Sequence, residues 1–154
     1  TFYFYLPTVA ESENIVETTK VRQTEIEEER PINLSGKKIV VAEDDSANYL
    51  FIESFLKLTN SQIIWARDGQ QVLDIYKADP SCDLILMDLR MPVMNGIEAT
   101  KSIRKTNTEL PIIALTAYAF ADDREKSIQA GCNDYLTKPI KIEELTETLA
   151  RYLK

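Results

Sequence analysis

The chain has 154 residues, 44% of them hydrophobic and 28% charged, with a formal net charge of −7, the proportions of a water-soluble folded domain of ordinary size. That acidic balance argues against a nucleic-acid surface, which needs clustered Lys and Arg, and no apolar run approaches the ~20 residues of a membrane span. Histidine is absent, which removes Ser-His-Asp and Cys-His catalysis, the HExxH zinc site and any phosphohistidine within this chain.

Cys82 and Cys132 are too few for a disulfide framework. No signal-peptide pattern opens the sequence, and a cytoplasmic location is expected, with a parent chain that could itself be membrane-anchored.

In chain order, "TFYFYLP" at 1–7 alternates Phe2, Phe4 and Leu6 with Tyr3 and Tyr5, the pattern of a sheet strand. Residues 8–35 follow as an acidic linker. "ETTKVRQTEIEEERP" has no clean period, and residues 1–35 hold seven acids against three bases. A boundary is expected near Leu34-Ser35-Gly36, with a domain over 36–154.

From Gly36 onward short apolar runs alternate with amphipathic stretches. Strands are expected at 38–42, 62–66, 84–87, 111–116 and 134–137, and helices at 46–58, 69–78, 95–105, 121–130 and 141–153. Asp45 or Ser46 is placed to cap the first helix, Asp68-Gly69 turns into the second, and Gly131 sits at a helix C-terminus. Strictly alternating strands and helices imply a parallel sheet covered on both faces. Ligands then gather beyond the carboxyl ends of the strands, where strand order reverses.

The strand ends carry the chemistry. Glu43, Asp44 and Asp45 follow the first strand; "LILMDLRMPVMNG" runs four apolar residues into Asp88; Thr116 closes the fourth strand; Lys138 and Pro139 follow the fifth. A buried carboxylate needs a partner, and clustered acids with no histidine or cysteine among them suit Mg²⁺ rather than zinc. A cation, a lysine and a hydroxyl together make a pocket for a phosphoryl group.

With Glu43-Asp44, Asp88 with Met91-Pro92 and Gly96, Thr116-Ala117 and Lys138-Pro139 in this order, at spacings of 44, 28 and 22, the sequence resembles a response-regulator receiver domain of two-component signalling over 36–154. The resemblance implies a flavodoxin-like, five-stranded parallel doubly wound sheet of order 2-1-3-4-5 with five helices, preceded by the N-terminal extension. It also assigns roles. Asp88 would take a phosphoryl group from a partner phosphohistidine. Mg²⁺ would be held by Asp44, by Asp88, by Glu43 mainly through water, and by the backbone carbonyl of Arg90. Lys138 would pair with Asp88 and then with the phosphoryl oxygens, across a cis Lys138–Pro139 peptide. Thr116 would bond the phosphoryl group and Tyr135 would swing inward as the readout. Arg90 and Tyr118, each two residues past a site residue, would crowd the approach of water and lengthen the phosphoaspartate lifetime.

Two other classes share part of this pattern. Phosphohydrolases resembling the haloacid-dehalogenase family carry a second acid two residues after the nucleophile, where this sequence has Arg90. A degenerate scaffold is opposed by the intact acids, threonine and lysine. Trp65 reads as half-buried sheet packing, and Cys82 and Cys132, lying before strands three and five, as inert. Finally, "TFYFYLP" resembles the closing strand of a histidine-kinase ATP-binding domain, which implies a hybrid histidine kinase as parent. The partner expected is a phosphohistidine-bearing kinase or phosphotransfer domain, and residues 1–7 are a candidate for self-association.

Overall fold

The computed structural model describes residues 31–117 and 121–154. The strand read at 1–7, most of the linker, and Tyr118 lie outside the described residues.

Five parallel strands stand in the order β2-β1-β3-β4-β5: β1 (Lys38–Ala42), β2 (Gln62–Ala66), β3 (Leu84–Asp88), β4 (Ile112–Thr116) and β5 (Asp134–Thr137). Helices α1 (Ser46–Leu58), α2 (Gly69–Ala78), α3 (Gly96–Arg104), α4 (Ala121–Ala130) and α5 (Ile142–Leu153) connect and follow them. This is the flavodoxin-like order expected from the sequence. β3 and β4 are buried at every position and β1 at all but its first, as central strands covered on both faces must be.

The pleat sorts each strand between two cores. Val40, Ala42, Ile85, Met87, Ile112 and Ala114 face the layer that holds Val72, Ala99 and Ile103 of α2 and α3. Ile39, Val41, Leu84, Leu86, Ile113 and Leu115 face Ile52, Leu56, Leu145 and Leu149 of α1 and α5. Leu34 belongs to the second core and donates its N–H to the Thr59 carbonyl at 2.7 Å. The packed unit accordingly runs Pro31–Lys154 and takes in the last residues of the segment read as linker.

Local chemistry fixes the helix starts. Asp45, Asp68 and Asn95 accept from the backbone N–H of Asn48, Gln71 and Glu98, each satisfying an orphan donor of a first turn. Asn95 is thus the cap of α3 rather than its first residue. Gly131 follows α4 at φ +107°, where a side chain would be strained and would press on Arg104. Arg104 gathers the amino-terminal edge of the sheet by donating to the carbonyls of Gly131, Asn107 and Leu110 and to Asn133 Oδ1. Cys82 and Cys132 are buried free thiols.

β1 is flanked by β2 on one side and β3 on the other. Strand order therefore reverses at β1/β3, and the loops after these strands open the crevice where such folds bind ligands.

Candidate functional site

β1 delivers Glu43 and Asp44 to that crevice and β3 delivers Asp88. Glu43 is fully buried, Asp88 nearly so, and Asp44 is exposed. Carboxylate oxygens of the three lie within 4.8 Å of one another. Lys138, just past β5, places Nζ 2.6 Å from Glu43 Oε2 and 2.9 Å from Asp88 Oδ2. Asp88 Oδ1 accepts from the Arg90 N–H at 2.9 Å, and Glu43 Oε1 from the Asp45 N–H at 3.1 Å. Both oxygens of each buried acid are thus engaged.

The backbone around Lys138 is held as tightly. Its N–H donates to the Thr116 carbonyl at 2.7 Å, and the Lys138–Pro139 peptide is cis. β4 pairs so that Leu115 stands opposite Asp88. Thr116, one residue further on and 4% exposed, therefore ends its strand just beyond the acid.

The Glu43 carbonyl accepts from Trp65 Nε1 at 2.8 Å. The Trp65 ring stacks on Tyr49 of α1 at 3.9 Å, with the Arg67 guanidinium 4.3 Å from the indole centroid. Trp65 is sheet packing, as read from the sequence, and also an anchor for the acidic loop. Nothing in the sequence marks this, because the bond needs β1 and β2 in register, with Val41 opposite Trp65.

Desolvation disfavours a charged Glu43 and, outweighing the help of Lys138 and the Asp45 N–H, leaves its carboxyl above the ordinary value. Burial likewise works against the Lys138 ammonium, but hydrogen bonds and attraction from Glu43 and Asp88 more than offset it, and its pKa stands above the ordinary lysine value. Three acids and one base leave the cluster net negative. An all-oxygen donor set with unbalanced negative charge is chemistry that fits Mg²⁺.

Between β3 and α3 the chain makes a γ-turn, Met94 N–H to Pro92 carbonyl at 2.7 Å, with Val93 at φ 66°. Gly96 then packs so closely that a Cβ would stand 2.2 Å from the Asp88 carbonyl oxygen. The Arg90 side chain leans toward α4, its Nη2 3.4 Å from Asp123 Oδ2. Tyr135 is half-buried on β5, its ring 5.1 Å from the Arg124 guanidinium. Beside Lys138 a cavity of ≈ 140 Å³ is lined by Asn48, Phe51, Lys138, Pro139 and Ile140, and Phe51 is 46% exposed.

The structure therefore gathers Glu43, Asp44, Asp88 and Lys138 into one cluster, with Thr116 at the neighbouring strand end. Tyr135 stands apart from it on β5. Sequence reading missed that Lys138 serves Glu43 as well as Asp88. It also missed Asp123, whose helix shows only an acidic first turn.

Residues 39–150 match the family described as response regulator receiver domain. The chain is 40% identical over 131 residues to hybrid signal transduction histidine kinase I of Dictyostelium discoideum; the match covers 77% of this chain and 8% of the kinase. The receiver domain of sensor histidine kinase PA1611 from Pseudomonas aeruginosa, solved with a magnesium ion coordinated in its active-site cleft, superimposes with a TM-score of 0.72 at 40% identity, covering 77% of this chain and 98% of that one. The receiver domain of Saccharomyces cerevisiae Ssk1, solved with the histidine phosphotransfer protein Ypd1, gives a TM-score of 0.72 at 32% identity, covering 76% and 88%. A fold of this strand order, an acid cluster bridged by a lysine at its crevice and a family match over most of the packed unit lead to one conclusion: the chain belongs to the response-regulator receiver domains of two-component phosphorelays.

Proposed function

We propose that Asp88 is the acceptor, taking a phosphoryl group from the phosphohistidine of a partner kinase or phosphotransfer domain. The observation that carries this reading is the Lys138 ammonium set between buried Glu43 and Asp88 in a cluster of three carboxylates. A carboxylate oxygen of Asp88 attacks phosphorus, the P–N bond breaks, and its electron pair leaves with the imidazole, which is reprotonated from solvent. Lys138 orients the carboxylate before transfer and meets phosphoryl oxygens after it. The Arg90 N–H fixes the other Asp88 oxygen, and the Thr116 hydroxyl donates to the phosphoryl group.

Glu43, Asp44, Asp88 and the Arg90 carbonyl would hold Mg²⁺. When bound, the ion neutralises charge that builds on the phosphoryl oxygens. Tyr135, in concert with Thr116, reports the modified state, and Arg90 with Tyr118 sets its lifetime. With no histidine in the sequence, the fragment receives rather than donates, and it sheds its phosphoryl group slowly.

The Ssk1 receiver pairs with a phosphotransfer protein. For this chain, the apolar ground of Phe51, Pro139 and Ile140 beside Lys138 is where a phosphohistidine-bearing partner would rest. Phe51→Ala should then slow phosphotransfer from such a partner severalfold and leave labelling by acetyl phosphate unchanged. Equal effects on both reactions would remove the docking role.

The parent is proposed to be a hybrid histidine kinase, of whose relatives the chain spans a small part: 8% of the Dictyostelium kinase. No helix among the described residues is long and apolar enough to cross a membrane.

The test is incubation with Mg²⁺ and acetyl phosphate followed by intact-mass and peptide analysis. One added phosphoryl group, on Asp88 and lost in Asp88→Asn, is expected. An unmodified protein, or a label elsewhere, would overturn the reading.

A further inference from the structure

Two of the contacts that Arg90 makes bear on each other. Its backbone N–H is 2.9 Å from Asp88 Oδ1, and its guanidinium Nη2 is 3.4 Å from Asp123 Oδ2 in the first turn of α4. The first contact fixes the base of the side chain beside the acceptor. The second spans from the β3–α3 loop to a helix on the far side of β4. The Arg90 side chain is 66% exposed and that of Asp123 20%, so the pair is weakly held. Asp123 also keeps a favourable place without the arginine, because an acid in the first turn of a helix meets the positive end of its dipole.

With a phosphoryl group, Asp88 would carry nearly two negative charges in place of one, and three more acceptor oxygens, beside the backbone N–H by which Arg90 already bonds it. A planar guanidinium fork binds such a group more strongly than it binds a single carboxylate oxygen at 3.4 Å. Asp123 is followed by Arg124, whose guanidinium lies 5.1 Å from the Tyr135 ring.

We propose that Arg90 is an exchangeable strut: it pairs with Asp123 while Asp88 is unmodified and transfers to the phosphoryl group once Asp88 carries one. The exchange removes the tie between the β3–α3 loop and the first turn of α4, next to the Arg124 that lies against Tyr135. Asp123 is thus a positioning residue that competes with the phosphoryl group for Arg90. This rests on Asp88 being the acceptor.

The experiment is a titration with beryllofluoride, a phosphoryl mimic, at saturating Mg²⁺, read by ¹⁹F NMR. The proteins are the wild-type chain, Asp123→Asn, Arg90→Gln and the double variant, each shown to be folded by urea denaturation. Asp123→Asn should tighten binding roughly threefold, the worth of an exposed ion pair. Arg90→Gln should weaken it about tenfold, as loss of a charge-assisted bond does. On the Arg90→Gln background, Asp123→Asn should change nothing. Amide shifts of Asp123 and Arg124 on binding should shrink in Arg90→Gln. Asp123→Ser offers a second route should the asparagine create a new contact. Unchanged or weaker binding in both Asp123 variants, or the same change on both backgrounds, would overturn the strut. Wild-type protein that binds no beryllofluoride would instead overturn the acceptor reading itself.

Discussion

Lys138 serves two anions, Glu43 and Asp88, that would otherwise face each other inside the protein. Removing one partner of a buried ion pair leaves an uncompensated charge, at a cost of about 3 kcal/mol. Lys138→Met should therefore lower the unfolding free energy by about that much in metal-free buffer, and adding Glu43→Gln should recover a substantial part, because Glu43 is the fully buried acid. Urea denaturation of the two variants checks this; a harmless Lys138→Met would mean the carboxylates are relieved in another way. Tyr49 gives a pH signature at the same scale. Burial, and then the hydrogen bond to Glu53, push its phenol up to about 12 from 10.0. The folded protein holds a proton that the unfolded chain loses first, so this contribution is present below pH 10 and disappears as pH rises through 12. Tyr49→Phe should flatten the fall of the urea midpoint between pH 10 and 11, and an identical slope in both proteins would count against the assignment. Asp88 and Lys138 were legible because few residue types suit a strand end in this chemistry. Glu43's burial and its tie to Trp65 were not, since each depends on a neighbouring strand far away in sequence.

At the scale of elements, the strand ends were read almost to the residue, and the differences have simple causes. β3 includes Asp88 because its backbone pairs with Leu115, although its side chain belongs to the site. α3 starts one residue later than read because Asn95 caps it. The packing of α3 on β3 was invisible to periodicity. Gly96 looks like any helix-start glycine in the sequence, yet a Cβ there would stand 2.2 Å from the Asp88 carbonyl oxygen and 2.8 Å from Met87 Cγ. Gly96→Ala should drive α3 off β3, costing about 1–3 kcal/mol, the range for overpacking, and should slow acetyl-phosphate labelling as the Asp88 backbone shifts. Calorimetry and labelling rates would show it. Full stability together with unchanged labelling would mean the loop yields without moving the acid.

For the whole molecule, the two-sided core and the acidic edge pull in opposite directions. Among the described residues, helices on both faces close two hydrophobic layers around one sheet, and the same closure forces Glu43, Asp44 and Asp88 within 4.8 Å of one another. One lysine cannot balance three carboxylates, so the folded state carries a local repulsion that the unfolded chain does not have. A divalent cation that binds only this arrangement stabilises the fold by mass action, by about 2.7 kcal/mol at a hundredfold excess over its dissociation constant. Millimolar Mg²⁺ should therefore raise the melting temperature, and EDTA should return it to the metal-free value. Asp44→Ala removes the exposed carboxylate and Asp88→Asn neutralises a buried one, so both should lose most of the shift. Both should also melt at or above the wild-type temperature without metal, because each relieves repulsion. That pairing of opposite effects separates a metal site from a merely sensitive loop. Equal Mg²⁺ shifts in all three proteins would place the ion elsewhere, and variants less stable than wild type without metal would mean that the acids help to hold the fold together.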